Sequence, residues 1–83
     1  MDQIARTAKQ LGAVIRRKRK QLDLSQSELG NRIRLRQATI SKLEAGEPAT
    51  RLQTLLDALA ALDLEIVIRP RTKGSTADLE DVF

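Results

Sequence analysis

The chain of 83 residues has no cysteine and no histidine, and Phe83 is its only aromatic residue. Without cysteine there are no disulfides and no thiolate metal sites. Without histidine the usual zinc ligand sets and the commonest general base are gone as well. Apolar runs reach only a few residues, far below the ~20 that span a bilayer. The start, Met1-Asp2-Gln3-Ile4-Ala5, lacks the basic residues and apolar stretch of a signal peptide. No acid, base, nucleophile or metal constellation converges. The expectation is a cytoplasmic protein that is not an enzyme and needs no cofactor.

A single domain of this size buries only roughly 60% of the surface its unfolded chain exposes. With disulfides and metals excluded, a second copy of the chain is the remaining source of stability.

Charge is abundant and unevenly placed. The net is +4, yet residues 6–51 hold 12 Lys/Arg against four acids (Asp23, Glu28, Glu44, Glu47), a local excess of eight. From Leu52 onward, three basic residues face six acidic ones. A basic front with an acidic rear is what an electrostatic DNA footprint needs, the alternative being a solvated surface of randomly placed charge.

Three Ser/Thr residues are followed three positions later by Gln or Glu: Thr7–Gln10, Ser25–Glu28 and Thr50–Gln53. Each precedes an apolar pattern of helical spacing and reads as a capping box. The first helix is predicted over about 8–22, with Leu11, Val14, Ile15 and Leu22 inward and Lys18 snorkelling across the stripe. The second opens at Ser25, with Leu24 and Leu29 as a hydrophobic staple, and ends near Ile33. The third covers about 37–44 on Ile40 and Leu43, stopping at Gly46-Glu47-Pro48. The fourth covers about 51–62 on Leu52, Leu55, Leu56, Leu59 and Leu62. Then the period changes: Leu64-Glu65-Ile66-Val67-Ile68-Arg69 alternates and reads as a strand ending at Pro70. The fold class is therefore mainly α, four helices with one C-terminal β-strand. Residues 1–6 form an N-terminal arm, 7–69 the domain, and 70–83 a tail with no pattern able to build a core.

Residues 24–46, LSQSELGNRIRLRQATISKLEAG, join two short helices through about four residues and read as a helix-turn-helix. Gly30 lies inside the second helix at a cost of roughly 1 kcal/mol relative to Ala, which close approach of the third helix would offset. The stretch resembles the XRE family, repressors of the phage 434 and Cro type, in Gln26, Glu28-Leu29-Gly30, Ile40-Ser41 and Leu43-Glu44-x-Gly46. The resemblance spans about residues 7–62 and implies a lambda repressor-like domain that binds double-stranded operator DNA. It also implies an internal ion pair between Arg19 and Glu44. One departure is Arg34, where the family usually has Gly because the backbone there is left-handed.

A recognition helix offers its N-terminal residues to base edges in the major groove. Here these are Arg36, Gln37, Ala38 and Thr39, with Ser41 and Lys42 further along. Arg36 suits guanine, Gln37 suits adenine, and Ala38 and the Thr39 methyl suit a thymine methyl. Gln26 and Ser27 sit at a helix N-terminus suited to phosphate. Of the run Arg16-Arg17-Lys18-Arg19-Lys20, only some can face one duplex.

The strand needs a partner, and pairing with itself across a two-fold axis is the economical solution, with Leu64, Ile66 and Ile68 on one face. An axis at Val67 sets Glu65 opposite Arg69. Four helices, one strand and a short tail resemble the HipB-type antitoxins, as does a basic residue followed by Gln-Ala-Thr-Ile-Ser. That resemblance implies a homodimer that represses its own operon and binds a HipA-like kinase toxin. The alternative is a stand-alone dimeric XRE-family repressor, and a neighbouring kinase-like gene discriminates. The acidic, apolar-spaced tail offers Leu79, Val82 and Phe83 as partner anchors.

Overall fold

The computed structural model describes residues 2–71. Four helices follow one another: α1 Ala8–Gln21, α2 Gln26–Arg32, α3 Gln37–Glu44 and α4 Leu52–Ala61. Helix α3 packs on both α1 and α2, and α4 packs on α2. Ile15, Leu29, Ile40 and Leu62 are fully buried, one from each helical segment, with Leu24, Leu43, Ala58 and Leu59 around them. Leu11, Ile33, Leu55, Ala61 and Leu64 close the margin.

The helix starts follow local chemistry. Thr7 caps α1 by accepting from the Gln10 N–H at 3.0 Å, while Gln10 Oε1 accepts from the Arg6 N–H at 2.7 Å. At α2 the capping box is complete: Ser25 Oγ accepts from the Glu28 N–H, and Glu28 Oε1 accepts from the Ser25 N–H. The third expected box does not form. Arg51 is the α4 N-cap. Thr50 Oγ1 instead donates to the Glu47 carbonyl at 2.9 Å and belongs to the preceding turn.

All four helices end alike. The residue after each C-cap is left-handed: Asp23 (φ 56), Arg34 (φ 59), Gly46 (φ 86) and Asp63 (φ 58). In each case its N–H and the next one return to carbonyls of the last turn, as with Gly46 to Leu43 and Glu47 to Lys42. These are Schellman motifs, which satisfy carbonyls that would otherwise be orphaned.

Three expected core leucines are exposed. Leu22 is 43% exposed because it is the α1 C-cap, past the last turn that faces the core. Leu52 and Leu56 are 67% and 41% exposed. The buried stripe of α4 is Leu55, Ala58, Leu59 and Leu62, and Ala58 moves its centre away from both.

Residues 64–71 leave α4 without joining a ladder inside the described chain. A strand is defined by pairing, and the partner expected for 64–69 is a second copy. The arm residues 2–6 run beside this segment and form a groove floored by Leu11, Val14 and Leu59.

Candidate nucleic-acid interface

The turn between α2 and α3 sets how α3 is presented. Arg34 takes the left-handed conformation required there, and the Leu35 N–H donates to the Gly30 carbonyl at 2.8 Å. A methyl group on Gly30 would lie 2.5 Å from the Leu35 carbonyl oxygen. The close approach that needs this glycine is therefore made by the turn's backbone, not by α3 itself. Arg36 is the α3 N-cap, and its side chain makes no capping bond. Arg36 is exposed, and its side chain leaves the first N–H groups of α3 uncapped.

Behind this end lies a connected polar chain. Arg19 Nε donates to Glu44 Oε2 at 2.6 Å, and Nη2 donates to Oε1 at 3.0 Å. The remaining guanidinium nitrogen, Nη1, donates to the Leu24 carbonyl at 2.7 Å. Both side chains are buried. The Glu44 hydrogen bonds raise the Arg19 pKa above its ordinary value, aided by Coulomb attraction and opposed by burial. Glu44 Oε1 also accepts from Gln26 Nε2 at 3.2 Å, and Gln26 Oε1 accepts from Gln37 Nε2 at 3.3 Å. Gln26 thereby fixes one end of Gln37 from within the domain. Among the described residues no buried side-chain nitrogen or oxygen lacks a partner.

The exposed face of α3 carries Gln37, Ala38, Ser41 and Lys42, with Arg36 before it and Ser27 exposed on α2. Gln26 is half-buried beside them. Thr39 is also half-buried, next to Lys42 at the edge of that face. In the C-terminal segment Leu64 packs against the core, while Glu65, Ile66, Val67, Ile68 and Arg69 are exposed. Leu79, Val82 and Phe83 lie outside the described residues.

Sequence reasoning missed Gly12, where a methyl group would lie 2.5 Å from the Glu44 carbonyl oxygen and 2.6 Å from that of Leu43. This glycine lets α1 approach the end of α3 that carries Glu44. A glycine inside a helix was the available signal, as it was at Gly30. No described helix is long and apolar enough to cross a membrane.

The helix-turn-helix family model HTH_3 matches residues 15–68. No curated protein matches significantly. Among solved structures, HipB in the HipB–O4 20mer complex is 31% identical with a TM-score of 0.79, over 86% of this chain and 100% of that one. A serine-to-alanine variant of HipB in its O2 20mer complex is 30% identical, TM-score 0.79, over 87% and 100%. A chain of the HipA–HipB–O2–O3 complex is 31% identical, TM-score 0.79, over 86% and 100%. The chain belongs to the XRE-type helix-turn-helix family of DNA-binding transcription regulators. Within that family its form is HipB-like.

Proposed function

We propose that the protein is a homodimeric operator-binding repressor acting as the antitoxin of a toxin–antitoxin pair, with a HipA-like kinase as its toxin. The observation that carries the DNA-reading half is the fixed Gln37 amide at the open end of α3, held by Gln26 and through it by Glu44. A preset amide suits bidentate recognition of adenine, and Arg36 beside it suits guanine. Ala38 offers a methyl to thymine, with the Thr39 methyl a lesser contributor from the flank. Ser41 and Lys42 continue along the same duplex, and the Gln26 and Ser27 N–H groups at the start of α2 meet phosphate.

Dimerisation uses residues 64–69. Ile66, Val67 and Ile68 are 50%, 70% and 93% exposed, and antiparallel pairing with a second copy completes the ladder and sets Ile66 and Ile68 of both copies side by side on one face, with Val67 on the other. Two recognition helices then sit about 34 Å apart, one turn of B-DNA. The toxin assignment is supported by the likeness to HipB, solved with HipA in the HipA–HipB–O2–O3 complex.

One experiment tests the reading in three parts. The purified protein should footprint a palindrome upstream of its own gene, sediment as a dimer, and co-purify with a kinase-like protein from its host. Ile66→Lys should sediment as a monomer and bind that palindrome poorly. A footprint and dimer without a kinase would leave a stand-alone repressor. No footprint at all would end the reading.

A further inference from the structure

The run of cations at 16–20 does not act as one clamp: the fold sorts it. Arg19 turns inward to Glu44, and Lys18 is half-buried on the opposite side of α1. Arg16, Arg17 and Lys20 instead join Lys9, four cations along a shallow groove with Ala13 in its floor. Lys9, Ala13, Arg16 and Lys20 fall on one face at helical spacing, about 16 Å from first to last at 1.5 Å per residue. Among the described residues the only acid lining the groove is Glu44, which Arg19 already neutralises. Lys9, Arg16 and Lys20 have no ion-pair partner among the described residues.

Glu44 and Ala45, at the end of α3, also line the groove. Ala45 is the exposed C-cap of α3, and by helical rotation it follows Ala38 and Ser41 along the outward side of that helix. The α1 stripe therefore continues the DNA-reading face past the C-terminal end of α3.

We propose that this stripe is a second DNA surface, which holds the phosphate backbone next to the bases read by α3 and lengthens the site beyond them. The inference rests on the DNA-binding reading above. A duplex lying along α3 brings its backbone to the stripe, and a small residue at Ala13 leaves room for it. The ligand chemistry is a row of phosphodiesters, for which unpaired Lys and Arg at regular spacing give sequence-independent attraction. An acidic protein segment, such as this chain's own residues 78–81, is the competing occupant. Its claim is weaker, because nothing aligns it with α3.

The test compares the full-length protein with the triple variant Lys9→Gln, Arg16→Gln, Lys20→Gln. Gln keeps helix propensity, and circular dichroism with thermal melting verifies the fold. The probes are a duplex selected from a random pool by the wild-type protein, and the same duplex trimmed to the bases that α3 reads. The wild type should bind the longer probe at least tenfold more tightly, and the variant should lose that advantage. The slope of log K against log salt should fall by about 0.9 for each phosphate that the variant no longer neutralises. Equal slopes and an equal length advantage in both proteins would overturn the inference while leaving the DNA-binding reading intact. So would a variant that binds DNA normally while deletion of residues 74–83 raises wild-type affinity alone. Failure of the wild type to select any sequence would remove both readings together.

Discussion

Arg19 and Glu44, 25 residues apart, meet as a buried bidentate pair that joins the end of α1 to the end of α3. The pair also leads outward, since Glu44 holds Gln26 and Gln26 holds Gln37. Removing one member leaves a buried charge uncompensated, which costs about 3–5 kcal/mol. Glu44→Ala should therefore lower stability by that amount in urea unfolding, and the double variant Arg19→Met, Glu44→Met should recover much of it. Both should bind DNA less well than their folded fraction predicts, because Gln26 has lost its anchor. A decrease of less than about 1 kcal/mol in Glu44→Ala would mean the pair behaves as a solvent-exposed one.

Gly12 serves the same junction by its absence of a side chain. In an exposed helix, replacing Gly with Ala gains roughly 1 kcal/mol of helix propensity. At Gly12 the added methyl meets two carbonyl oxygens of α3, at 2.5 and 2.6 Å, and backbone cannot swing aside. Overpacking of this kind costs about 1–3 kcal/mol, so the sign reverses. Gly12→Ala should lower the melting temperature, and a rise would show that α1 and α3 can separate there without penalty.

Much of this arrangement was legible because it is local. Ser25 and Glu28 write the start of α2, and Gly46 writes the end of α3, through bonds spanning a few residues. The outward set at the start of α3 follows from helix period once Ile40 and Leu43 are inward. What stayed hidden depends on neighbours far along the chain. Thr50 has the spacing of a cap, but the turn begun by Glu47 claims its hydroxyl. Leu52 and Leu56 have the hydrophobicity of core residues, yet α4 meets α2 along a stripe centred by the small Ala58. The tie from Gln26 to Gln37 also required the third dimension, since nothing in either residue names the other.

The capping box of α2 makes a pH prediction. The Ser25 backbone N–H, donating at 2.9 Å, holds the Glu28 carboxyl below its ordinary range. The Ser25 side chain and then Arg32 act in the same direction. A carboxyl whose folded pKa is depressed favours the folded state when ionised. Its contribution is present above the unfolded value of about 4.3 and is lost as pH falls through the lower folded value. Glu28→Gln should be less stable than wild type at neutral pH, with the gap closing as pH falls through that window. Thermal melts of both proteins across the acid range measure it. A gap that stays constant with pH would assign the effect to shape and not to ionisation.

Arg34 occupies a backbone position that glycine fills more easily. Its φ of 59 is shared by Asp23 and Asp63 at φ 56 and 58, but aspartate tolerates this region better than a long side chain does. A left-handed non-glycine residue costs about 1–2 kcal/mol, while glycine gives back roughly half to one in chain entropy. Arg34→Gly should therefore stabilise the protein by about 0.5–1 kcal/mol, a rise of several degrees in melting temperature for a domain of this size. Arg34→Asn should gain less, and Arg34→Ala should gain nothing because it keeps the strained geometry. The Leu35 N–H bond to Gly30 fixes the same path for all three, so α3 should keep its position. DNA affinities of the Asn and Ala variants should then match each other, each lower than wild type only through the missing charge. A stabilised Arg34→Ala would show that the turn relaxes out of the left-handed conformation, and α3 with it.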